Sequence, residues 1–141
     1  MKLKHLVIVI GLSVGISAGL GSMSTTAQAA SSYITPVAMR GTWYGYSKEY
    51  GFWSKIHVTK HSFAYSSSGS HDVIKGHHLL VVRGHYKGHT LVTFQYRQHI
   101  GATDSYYFGK AIVKGHKKTA LIMDYDTAMF HHHVKHYKVV K

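Results

Sequence analysis

Residues 79–96 read LLVVRGHYKGHTLVTFQY, and this stretch decides the fold. Two runs rich in Val, Leu, Thr, Phe and Tyr, predicted as strands over Leu79 to Tyr86 and His89 to Gln98, meet at Lys87-Gly88-His89, the pattern of a tight hairpin. The same tripeptide recurs at Lys75-Gly76-His77 and Lys114-Gly115-His116, each shortly before another apolar run. Glycine supplies the positive φ that tight turns need, so the recurrence reads as the turns of a meander. Working outward, period-two patterns predict strands over Arg40 to Tyr46, Phe52 to Thr59, Ser62 to Ser67 and His71 to Lys75 upstream. Downstream they predict Ser105 to Val113, Thr119 to Asp124 and Met129 to Val140. The expected fold is all-β: a small antiparallel meander barrel of eight or nine short strands, closing on itself to hide its edges.

The first segment has the layout of an export signal. Lys2 and Lys4 make a basic start, Leu6 to Leu20 is apolar, and Ala27-Gln28-Ala29 is an A-x-A cleavage site. Cleavage after Ala29 is expected, leaving residues 30–39 as an extended leader containing Pro36 and residues 40–141 as one β domain. No later stretch is apolar enough to span a bilayer, so no integral membrane segment is expected after cleavage. The absence of cysteine excludes disulfides, thiolate metal sites and cysteine nucleophiles. An exported domain of this size without disulfides relies on packing alone.

Charge points to a class of partner. Lys and Arg number 17, Asp and Glu 5, and His 14, a net +12 with histidine neutral. Without Lys2, Lys4 and His5 the remaining chain carries about +10, moving towards about +23 as its imidazoles protonate around an ordinary pKa of ~6.5. Such a field attracts polyanions: an anionic cell-wall polymer or other anionic surface, and in vitro nucleic acid without sequence preference. In a meander, alternate turns share an end, so the turns at Gly88 and Gly115 are expected to unite Lys87, His89, Lys114, His116, Lys117 and Lys118 in one basic rim. The expected role is a secreted, non-enzymatic binding protein that associates by charge with anionic cell-surface polymers, more tightly at acid pH.

Two other constellations suit binding. Trp43, Tyr44, Tyr46 and Trp53 are candidate contacts for a small hydrophobic ligand, although Trp43 and Phe52 also fit core positions on an alternating strand. His131, His133 and His136 are candidate zinc or copper ligands. On a continuous strand His131 and His133 share a face, with a further ligand from His99 or Asp126. The aromatic and basic run Thr93 to Arg97 is of the kind that stacks bases. Catalysis has weaker support, and no enzyme is expected. Ser70-His71-Asp72 places three triad residue types too close in sequence to aim at one another, and Asp124 with Asp126 is the only carboxylate pair that a strand would align.

Gly41-Thr42-Trp43-Tyr44, opening the first strand, is similar to the G-x-W signature of lipocalin-like barrels. The resemblance implies that Trp43 closes the base of a barrel and packs against an arginine of the last strand, where this sequence offers Lys135 and Lys138 instead. The wider pattern of export signal, Pro-containing leader, Arg40-Gly-Thr-Trp-Tyr44, Lys-rich meander and Tyr-Lys-Val ending resembles the small, basic, cysteine-free secreted β proteins of lactic-acid bacteria. That resemblance implies an extracellular β domain.

Overall fold

The computed structural model describes residues 32–98 and 103–141, so the export signal and His99 lie outside the described residues. Ten strands follow in order: β1 (Gly41–Tyr46), β2 (Trp53–Thr59), β3 (Ser62–Ser67), β4 (Ser70–Lys75), β5 (Leu79–Tyr86), β6 (His89–Tyr96), β7 (Ser105–Val113), β8 (His116–Met123), β9 (Thr127–Phe130) and β10 (Lys138–Val139). Among the described residues the only helical elements are single 3₁₀ turns at Val37–Met39 and Gly76–His78, and no helix is long and apolar enough to cross a membrane.

The expected antiparallel meander is present as a curled, nine-stranded half-barrel in the order β4-β3-β2-β1-β9-β8-β7-β6-β5. Every neighbouring pair in that path is antiparallel. With nine strands the two edges, β4 and β5, run the same way. Closing the ring would require a parallel pair between consecutive strands, which needs a crossover far longer than the Gly76–His78 link. The sheet therefore curls without closing, and side chains bridge the seam. Phe63 of β3 stacks on Phe94 of β6 at 4.5 Å, and the Tyr96 hydroxyl donates to Asp72 at 2.6 Å.

The hairpin turns follow the local chemistry read from sequence. Tyr86 pairs with His89 and Val113 with His116, leaving two-residue loops in which both residues have positive φ: Lys87 and Gly88, Lys114 and Gly115. This is the turn whose twist matches that of the flanking strands. The third copy behaves differently, because Gly76, also at positive φ, opens the 3₁₀ link to β5 rather than a hairpin.

The concave face holds the main core, including Trp43, Ile56, Val58, Leu79, Val81 and Leu121. A second cluster, among it Ala111, Val113, Ile122, Ala128, Phe130 and Tyr137, lies on the opposite face of β7, β8 and β9. That second face corrects the expected strand Met129 to Val140. The strand ends at Phe130, residues 131–137 leave the ladder, and the chain pairs again only where Lys138 and Val139 meet Ile112 and Ala111. The departure buries the apolar back of the sheet: Tyr137 packs on Phe130 and donates its hydroxyl to the Tyr46 carbonyl at 2.7 Å. The leader is likewise part of the domain from Ser32 onward. Ser32 bridges Val81, Thr35 is buried with its hydroxyl on the Thr59 carbonyl at 2.6 Å, and Met39 enters the core.

Candidate functional site

Trp43 is 6% exposed, and its indole Nε1 donates to the Met39 carbonyl at 2.8 Å, fastening the 3₁₀ turn beneath the barrel. It is a core residue rather than a ligand contact. The partner that reaches it from the end of the sheet is neither Lys135 nor Lys138. His131 lies over the indole with ring centroids 3.8 Å apart, its Nδ1 hydrogen-bonded to the Thr42 carbonyl. Tyr44, Tyr46 and Trp53 occupy the outer face, where Tyr46 meets Trp53 at 5.2 Å. Phe52 is half-buried and stacks on Tyr50.

The three candidate metal ligands do not converge. His131 packs on Trp43, whereas His133 packs on Tyr44 at 4.1 Å and edge-on to Trp53 at 4.6 Å. Trp43 and Tyr44 are consecutive strand residues and point to opposite faces, so His131 and His133 sit on opposite sides of β1. The shared face required a continuous strand through residue 133, and the strand ends at Phe130. Among the described residues no three His, Asp or Glu side chains are grouped to hold a metal ion.

The basic turns each line a hollow. Lys114 and Lys118 line a hollow with His132, His133, Lys135 and His136. Lys87 and His89 line another with Tyr86, Tyr107, Lys141 and one carboxylate, Asp126. The β6–β7 ladder contains only the pairs Val92 with Tyr106 and Thr93 with Ser105, and β10 takes the part of the β7 edge nearer the Gly115 turn. His116, Lys117 and Lys118 are all exposed on β8. The Gly88 and Gly115 turns thus line two different hollows. Eleven of the twelve described histidines are exposed, and His89 is half-buried. Their hydrogen bonds go to the Thr42 and Ser66 hydroxyls and the Thr42 carbonyl, never to a carboxylate.

Sequence reasoning missed where the acids go. All five acidic residues of the chain line two adjoining hollows that share Tyr65 and Asp104. The smaller hollow takes Glu49 from the β1–β2 connection, Asp104, and Asp124 and Asp126 from the β8–β9 turn. The larger, about 380 Å³, takes Asp72 from β4 and again Asp104. Neither is lined by Lys, Arg or His. Burial, and then a hydrogen bond and charge repulsion from Asp124, push the Asp104 carboxyl up to about 7. Asp124 is held in place by its backbone N–H on the Ser105 carbonyl and its Oδ1 on the Ser105 N–H, both at 2.9 Å. Scarcity was the available signal: four of these five acids fall in predicted connections or at strand ends, but nothing in their spacing shows that the connections meet.

The residues considered for other chemistry are otherwise occupied. The His71 Nδ1 bonds the Ser66 hydroxyl while Asp72 accepts from Tyr96, so Ser70-His71-Asp72 is not a relay. Asp124 is tied to the Ser105 backbone, and Asp126 accepts from the Thr127 hydroxyl. Phe94, a candidate for base stacking, is buried against Phe63. Comparison with family models, with curated proteins and with solved structures returns no match.

Proposed function

We propose that the protein is a secreted, non-enzymatic binding protein that adheres by charge to anionic cell-surface polymers and holds them more tightly as the medium acidifies. The observation that supports this reading is the distribution of charge: four of the five acidic side chains line only two hollows free of basic side chains, and Asp126 alone also lines hollows that carry lysines. Lysines and histidines elsewhere thus act with little local compensation. Exposed imidazoles without carboxylate partners supply the part of the charge that grows as the medium acidifies. A surface of this kind recognises charge density rather than a particular polymer.

Retention on isolated cell walls tests the proposal. Bound protein is expected to increase from pH 7.5 to 5 and to fall steeply as salt is raised. The triple variant Lys114→Gln, Lys117→Gln, Lys118→Gln is expected to reduce the slope of log affinity against log salt by roughly two to three units. Retention indifferent to both salt and pH would overturn the reading.

A further inference from the structure

The larger acidic hollow carries a second, different binding chemistry. It opens from the concave core at the seam, between the β3–β4 and β6–β7 edges, and its volume of about 380 Å³ lies in the range of small-molecule sites. Its walls are aromatic: Phe63, Tyr65, Phe94, Tyr96 and Tyr106. Its acidic groups are Asp72, which accepts hydrogen bonds from Tyr96 at 2.6 Å and from the Val73 N–H at 2.9 Å, and Asp104.

An independent feature points to an occupant. Tyr106 is 1% exposed, and its hydroxyl is buried without a hydrogen-bond partner among the described residues. A buried hydroxyl left in this state is costly, and side chains of this size ordinarily find a partner. Tyr106 lines the hollow beside Asp104, and burial, then the charge of Asp104, push its pKa up. The phenol is thereby kept neutral, able to accept a hydrogen bond from a cation or to donate one.

We propose that this hollow binds a small organic ammonium ion with an apolar or aromatic body. Asp72, and Asp104 once ionised above about pH 7, supply the counter-charge, Tyr106 supplies a hydrogen bond, and the aromatic faces favour a cation over a neutral or anionic group. An anion is repelled by the same groups. A bare metal ion lacks a converging set of three ligands among the described residues. The site is separate from the basic surfaces, so it stands or falls independently of polymer binding.

Calorimetry on the whole protein in high salt, where polyanion binding is suppressed, tests the proposal with three probes of similar shape: phenethylammonium, 2-phenylethanol and phenylacetate. Phenethylammonium is expected to bind one to one, the alcohol at least about tenfold more weakly, and phenylacetate not detectably. Tyr106→Phe, which keeps the ring, and Asp104→Asn are each expected to weaken phenethylammonium by roughly five- to fiftyfold with the far-ultraviolet spectrum unchanged. Equal affinity for the alcohol would overturn the proposal in favour of a plain apolar cavity. Preference for phenylacetate, failure of all three probes to bind, or undiminished binding by a folded Tyr106→Phe variant would also overturn it.

Discussion

At the scale of single residues, Asp104 shows how an environment resets chemistry. Its ordinary pKa of 3.8 rises to about 7, first through burial and then through Asp124. The folded protein therefore keeps a proton that the unfolded chain has already released. Stability contributed by this group is complete below about pH 4, declines as pH rises, and is lost once pH passes about 7. Asp104→Asn is expected to flatten that decline: in urea titrations at pH 4.5 and pH 8 the variant should show a smaller difference than the parent. An identical difference in both proteins would mean that Asp104 titrates normally. Trp43 illustrates the complementary case, where the residue type was legible and the partner was not. Its burial follows from strand alternation, whereas the choice of His131 over Lys135 or Lys138 depends on the chain turning at Phe130.

At the scale of elements, the segment after β9 matters most. Each residue of β9 is buried, so the strand is covered on both faces, and residues 131–141 form the outer cover. Tyr137 is its anchor, 6% exposed, with a hydroxyl on the Tyr46 carbonyl. Tyr137→Ala is expected to cost about 3–5 kcal/mol by opening a cavity in the second core, and Tyr137→Phe about 1 kcal/mol by removing one hydrogen bond. Chemical denaturation of both variants checks the ordering. Equal costs would show that the hydroxyl, not the ring, holds the segment. The alternating run from Met129 hid this arrangement, because its histidine-rich sequence is equally compatible with a strand and with a covering segment.

At the scale of the whole molecule, charge and shape are coupled. The turns that carry Glu49, Asp124 and Asp126 and the β6–β7 connection that carries Asp104 come together because the sheet curls. The same curl leaves imidazoles on the outside. Electrophoretic mobility towards the cathode is therefore expected to rise by roughly half or more between pH 7.5 and pH 5, as the histidine-rich surface gains positive charge. A mobility that barely changes would remove the basis of a pH-dependent surface.

The sequence by itself determined most of the strands, many of their boundaries, the two-residue glycine turns and the excess of positive charge. These are local properties, set by side-chain alternation, by positive φ and by composition. Only the tertiary structure decided that nine strands curl without closing, since edge direction depends on the strand count and the short Gly76–His78 link. It alone placed His131 and His133 on opposite faces and joined five distant carboxylates. Those arrangements arise from contacts between elements far apart in the chain, where residue spacing carries no information about which sides meet.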